Sequence, residues 1–320
     1  MVVSSNPAID DNKPLQRCYD ALCNRLIYAV LGERLHLGYW DKDTYRMFPL
    51  SRALHRMEEK LHKLLDLGPE SRILDAGCGC GQVALYMASH GLYVTAIDVT
   101  DHHLDRARHR MRRSHGLGGQ VTVNKMDYHH LESLEAGSFD GIYAMESLCH
   151  ATNPLAVLQG FLRILRPGGH IAIHDADRCQ EDNGMGNEAA ASINQISELG
   201  AMPTFRQSRR DFYRELLEEV GFIDVRLYDY SENVKPFLRL LWLLSVALQF
   251  FLRLFGLRED YPHVHLGGWL YKEQRYWRSR DDARSGKRPL ETVATERRNC
   301  LDAKALAVGN GPMRLHRRLH

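Results

Sequence analysis

The spacing of apolar positions changes character along the chain. Met1 to Gln16 is polar, carries two prolines and has no period, which predicts a loose arm. Arg17–Leu31 places apolar residues on one helical face, and a second helical pattern runs from Phe48 to Leu67, stopped by Gly68-Pro69. From Arg72 onward short apolar runs alternate with helical stretches. Strands are predicted at Arg72–Asp75, Tyr93–Asp98, Val121–Lys125, Phe139–Met145 and His170–His174. Helices are predicted at Gln82–His90, His102–His115 and Pro154–Leu165, the last closed by Arg166-Pro167-Gly168-Gly169. A further amphipathic helix at Ser208–Val220 leads through Gly221 to a sixth strand at Val225–Tyr230. Regular alternation of strand and helix predicts an α/β fold, a Rossmann-like doubly wound parallel sheet.

Phe237–Phe255 breaks this rhythm with an apolar run carrying Arg239 and Arg253 near its ends and Gln249 inside. Its uninterrupted apolar part falls short of the roughly 18 residues a spanning helix needs. A helix of this kind either roofs a pocket or lies on a membrane surface with its arginines reaching out, and the first reading is adopted. Both imply a lipophilic substrate. Beyond it, Arg275–His320 holds twelve basic against five acidic residues and no core pattern, so 279–320 is expected to be a solvated, disordered tail. A last strand is expected either at Val264–Tyr271 or not at all. The division that follows is an arm at 1–16, a helical cap and lid at 17–67, a core at 68–233, an apolar helical insert at 234–278 and the basic tail.

Composition narrows the class. At 320 residues, 44% hydrophobic and 26% charged, the chain is an ordinary globular protein with room for one large domain. A net charge of +2 argues against a nucleic-acid surface. The seven cysteines are odd in number and lack the spacing of a zinc site, and no signal peptide precedes them, which points to reduced thiols in the cytoplasm, with peripheral membrane contact through 237–255 as the variant. No metal is expected, and oligomeric state is not legible.

The most informative stretch is Ile73-Leu74-Asp75-Ala76-Gly77-Cys78-Gly79-Cys80-Gly81-Gln82, a strand that ends in Asp and turns through three alternating glycines into a helix. A dinucleotide loop would place its third glycine at position 82, where Gln stands, so a pyrophosphate cradle is disfavoured. Asp98 ends the second strand and Asp127 follows the third. With Asp75-x-Gly77-x-Gly79-x-Gly81, Asp98, Met126-Asp127 and Leu165-Arg-Pro-Gly-Gly169 in this order, residues 35–230 resemble the class I S-adenosylmethionine (SAM)-dependent methyltransferases. The resemblance implies SAM as cofactor, a sulfonium cation suited to an acidic loop. It implies Asp75, Gly77, Gly79 and Gly81 around it, Asp98 on the ribose and Asp127 on the adenine.

On the substrate side, Glu146-Ser147-Leu148-Cys149-His150-Ala151 is similar to a segment of sterol C-methyltransferases and related fungal secondary-metabolite enzymes. It makes Glu146 and His150 the candidate catalytic residues, His150 as the base for a phenol or enol. His174 and Asp175 at the end of the fifth strand are candidate pocket residues. Leu35-His36-Leu37-Gly38-Tyr39-Trp40 resembles the lid of tocopherol-type and natural-product methyltransferases, which implies Tyr39 closing over SAM. The expected activity is O-methylation of a small, lipophilic secondary metabolite, a polyketide enol or phenol. C-methylation of a sterol or prenyl olefin is the alternative, and a SAM-binding protein without chemistry a second.

Overall fold

The computed structural model describes Leu15 and residues 32–34, 36–41, 49–114, 116–178, 194–195, 197–198, 200–208, 211–254 and 301–308. The helix expected at Arg17–Leu31 and the strand at Val264–Tyr271 lie outside them. In chain order the main elements are α1 (Leu50–Leu65), β1 (Arg72–Ala76), α2 (Gln82–Ser89), β2 (Tyr93–Asp98), α3 (Asp101–Arg113), β3 (Val121–Lys125), β4 (Phe139–Met145), α4 (Pro154–Ile164) and β5 (Leu165–Arg178). Then come α5 (Pro203–Gln207), α6 (Phe212–Val220), β6 (Val225–Asp229), α7 (Ser231–Leu254) and β7 (Leu301–Val308).

Period-two alternation in the strands sorts side chains onto two faces. Leu74 and Ala76 of β1, Ile142 and Ala144 of β4, and Ile171 and Ile173 of β5 pack with Val157, Leu158 and Phe161 of α4 and Leu217 of α6. The alternate residues, Ile73, Tyr143, Met145 and Ala172, pack with Met57, Leu61 and Leu65 of α1 and Val83, Ala84 and Met87 of α2. The strand order is β3-β2-β1-β4-β5-β7-β6. β1 to β5 run parallel, with Asp75 opposite Ala96 on one side and Tyr143 on the other, so the carboxyl ends of β1, β2 and β4 open on one edge of the sheet. Asn153 caps α4 by accepting from the Ala156 N–H, with Pro154 at the first helical position, which fixes the chain as it leaves that edge.

Two expectations are corrected. The stretch 279–320 is not a structureless tail throughout: Leu301–Val308 forms β7, antiparallel between β5 and β6, with Ala305 opposite both His174 and Tyr228. The apolar run is helical as far as Leu254, yet none of its described residues lines the pocket it was expected to roof. α7 is anchored by its first turns, where Asn233, Val234 and Phe237 are buried. Leu243, Leu244, Val246, Phe250 and Leu254 farther along are exposed, Leu244 by 43% where burial was expected. No helix among the described residues is long and apolar enough to cross a membrane.

Candidate functional site

A cleft opens at the carboxyl edge of the sheet, the place where parallel α/β sheets gather ligands. Its floor is the glycine loop. Gly77 sits at φ +91°, and a Cβ there would stand 2.5 Å from that of Ser147, so only glycine lets β1 and β4 close at this point. The loop is held by backbone bonds from Gly77 and Cys78 N–H to Ile97 O at 3.0 and 2.9 Å. Cys78 and Cys80 are buried free thiols, and burial pushes both up from the ordinary range, which keeps them protonated.

Asp75 is 1% exposed at the end of β1, and its Oδ2 has no hydrogen-bond partner among the described residues. Burial, with the nearby Asp98 carboxylate, pushes its pKa up to about 8. The Tyr143 hydroxyl opposes that rise, and a buried carboxyl with one oxygen unpartnered beside an open cleft is a site for a cation. Asp98 differs. Burial opposes its ionisation, but His103 and the N–H groups of Thr100 and Gly79 outweigh burial and hold it below the usual carboxylate range. Its Oδ2 accepts from Gly79 N at 2.9 Å and its Oδ1 from Thr100 N at 2.8 Å, which ties β2 to the glycine loop.

Asp127 lines the far wall. Its Oδ1 accepts from the backbone N–H and ring Nδ1 of His129, at 2.9 and 2.6 Å. Because Thr152 N–H points at His129 Nε2 from 3.1 Å, the ring proton sits on Nδ1 and the imidazole bridges the ends of β3 and β4. Ser147 Oγ donates to Ala76 O at 2.5 Å and fixes the end of β4 over the loop.

Glu146 follows β4 at φ +50°, a left-handed conformation that costs a non-glycine residue energy and turns its side chain into the cleft. Its Oε1 accepts the Leu37 N–H at 2.6 Å. Burial, helped by Asp175, raises its pKa to about 8, so the carboxyl carries its proton at neutral pH. His150 is 9% exposed, and burial lowers its pKa. Its Nδ1 lies 2.9 Å from Ala201 O, and since a carbonyl only accepts, the neutral ring keeps its lone pair on Nε2.

The cleft thus brings together Asp75, Gly77, Gly79, Asp98, Asp127, Glu146 and His150. Four other expected site residues are not in its lining. Gly81 caps α2 behind the loop at φ +76°. Tyr39 packs edge-on against Tyr230 at 5.1 Å under Lys60, while the N–H groups of Tyr39 and its neighbour Trp40 are taken by Ala53 O and Asn233 O. That clamped backbone places Tyr39 beside the cleft. His174 is 2% exposed behind Glu146, its Nδ1 3.6 Å from Glu146 Oε1, and burial lowers its pKa to about 3. Asp175 accepts from Cys149 N at 2.8 Å and Tyr213 OH at 3.2 Å, bracing the turn that carries His150.

Sequence reading missed Glu33, Arg34 and His36, which form one wall. His36 belongs to the lid motif and approaches Glu58 Oε1 at 3.4 Å. Glu58 is wholly buried in the middle of α1 and also takes Arg34 Nε at 2.7 Å. A lone acid among the apolar positions of α1 was the available signal.

Comparison with known proteins bears on the site. Residues 74–173 match a family described as "Methyltransferase domain". The S-adenosyl-L-methionine-dependent Diels-Alderase iliD of Neonectria sp. is 45% identical over 68% of this chain and 86% of its own length. The S-adenosyl-L-methionine-dependent Diels-Alderase iccD of Talaromyces variabilis is 36% identical over 83% of this chain and 92% of its own. The O-methyltransferase resE of Aspergillus sclerotiorum is 32% identical over 70% and 81% respectively.

Proposed function

Since this chain belongs to the SAM-dependent methyltransferase family, with the family's Rossmann-like fold and SAM as cofactor, we propose that it directs a [4+2] cyclisation of a lipophilic, unsaturated secondary metabolite. SAM fits the residues present: the Asp75 carboxyl, with its Oδ2 unpartnered, suits the cationic charge, and Asp98 and Asp127 in the cleft lining would hold the nucleoside. When bound, it supplies a fixed positive charge and an activated methyl group.

The observation that carries the reading is the placement of Glu146, which lines the cleft from the turn after β4 with its Oε1 taken by the Leu37 N–H and its pKa raised by burial. A carboxyl that keeps its proton at neutral pH is a donor, suited to polarise a substrate carbonyl, and unsuited to deprotonate an acceptor. Cycloaddition moves no proton and loses no atom. It needs orientation, a donor and exclusion of water. Two relatives named Diels-Alderases at 36% and 45% identity support the same choice. A second reading, O-methylation of an enol or phenol, is favoured by the tautomer of His150, whose Nε2 lone pair would take a proton from an acidic hydroxyl.

The products separate the two. Purified protein with SAM and a panel of polyene substrates is expected to yield isomers of unchanged mass without stoichiometric S-adenosylhomocysteine. Glu146→Gln, which keeps a donor, should retain most of the rate, and Glu146→Ala should lose about 100-fold. A product heavier by one methylene with matching S-adenosylhomocysteine, together with loss of activity in His150→Ala, would install O-methylation instead.

A further inference from the structure

The wall that faces the glycine loop is a strap of chain, Gly32 to Arg34, held at each residue. Gly32 O accepts from Gln82 Nε2 at 3.0 Å, and Arg34 reaches the buried Glu58. Glu33 pairs with Arg106 at 2.6 Å and also with Arg110. It does so from φ +61°, a conformation retained at a cost unless the contacts around it hold it there. Arg110 belongs to both sides. One arm of its guanidinium donates to Glu33 in the strap, and the other to Cys80 O inside the glycine loop. It is largely buried and does not itself line the cleft, whereas Glu33 does.

A simpler account is available for basic residues here. Arg110, Arg112 and Arg113 stand in the last turn of α3, where cations complement the helix dipole. That account treats the three alike. Arg113 makes no hydrogen bond or ion pair among the described residues, while the planar fork of Arg110 spans two segments remote in sequence.

We propose that Arg110 is a positioning residue that latches the strap, through Glu33, to the glycine loop and so sets the rate at which SAM leaves the cleft. The proposal rests on SAM as cofactor and on neither reading of the reaction. It has a different consequence for each. A reaction that consumes SAM must open the latch at every turnover, whereas one that retains SAM is served by a latch that stays shut.

The test is the release of radiolabelled SAM from preloaded protein, chased with excess S-adenosylhomocysteine and needing no substrate. Glu33→Ala and Arg110→Gln should each speed release about tenfold, a difference of roughly 1.4 kcal/mol. The double variant should release no faster than Glu33→Ala, which alone already removes the strap's half of the latch together with its pair to Arg106. Arg113→Gln should release SAM at the parental rate. Added salt should speed release from the parent and leave the double variant unchanged, since the pairs are partly exposed. A merely structural role for Arg110 would lower melting temperature without this non-additivity. Parental release from Glu33→Ala, or a double variant whose effect is the product of the two singles, would overturn the latch. If Arg110→Gln does not fold, Glu33→Ala with the salt series decides alone.

Discussion

Asp75 and Asp98 lie in the last residues of β1 and β2 at the sheet edge, and their surroundings drive them opposite ways. Asp98 is given N–H donors and stays ionised. Asp75 is not, and is pushed up to about 8. The cation of SAM would favour the carboxylate of Asp75, so binding below that pKa has to expel a proton. The sign follows: affinity for SAM rises with pH up to about 8, by at most tenfold per unit, and levels above it. Calorimetry across pH 6 to 9 (roughly the window the shift defines) in buffers of different ionisation enthalpy should record proton release. Asp75→Asn should flatten the profile, and a parental profile already flat would remove the charge role from Asp75. At this scale much was legible. Asp75, Asp98, Asp127, Glu146 and His150 lie at or just past strand ends, and parallel strands bring such positions to one edge whatever lies between. Tyr39, His174 and Asp175 were not placed by that rule, because whether a side chain enters the cleft depends on the turn that follows and on which neighbour takes its backbone.

Among elements, β7 is the strongest departure from what the sequence announces. Leu301-Asp-Ala-Lys-Ala-Leu-Ala-Val308 is rich in alanine and carries two charges, a composition with weak intrinsic strand preference. Its place is set by pairing on both sides, which no window of local sequence reveals. A proline in a strand paired on both sides removes a ladder bond, so Ala305→Pro should lower the midpoint of urea unfolding clearly. An unaltered transition would remove β7 from the sheet. α7 shows the converse error. Its apolar run reads as buried, yet among the described side chains Leu243, Leu244, Val246 and Leu254 are exposed, while Phe237 in the first turns packs with Trp40. Replacing Leu243 and Leu254 by Gln should therefore leave the unfolding free energy within about 0.5 kcal/mol of the parent. A loss of several kcal/mol would mean that this face is covered after all.

For the whole molecule, the cleft is assembled from pieces that the chain keeps far apart: Glu33, Arg34 and His36, the glycine loop, Met126 to His129 and residues between Met145 and Thr152. No single piece binds a ligand, so SAM selects the folded arrangement and has nothing comparable to bind in the unfolded chain. The linkage is then one-sided, and SAM at about 100 times its dissociation constant should add about 2.7 kcal/mol to unfolding, raising the melting temperature by several degrees. The gain should also be uneven in space. Amides whose exchange requires only local opening, in the strap and glycine loop, should gain protection as SAM bridges them. The helix α6 and strand β6, which contribute nothing to the lining, should change only where they exchange by global unfolding. Hydrogen exchange with mass readout separates these by peptide. A melting temperature that rises while residues 32–41 and 76–82 exchange as before would show that SAM binds elsewhere on the molecule, and the cleft would lose its claim to the cofactor.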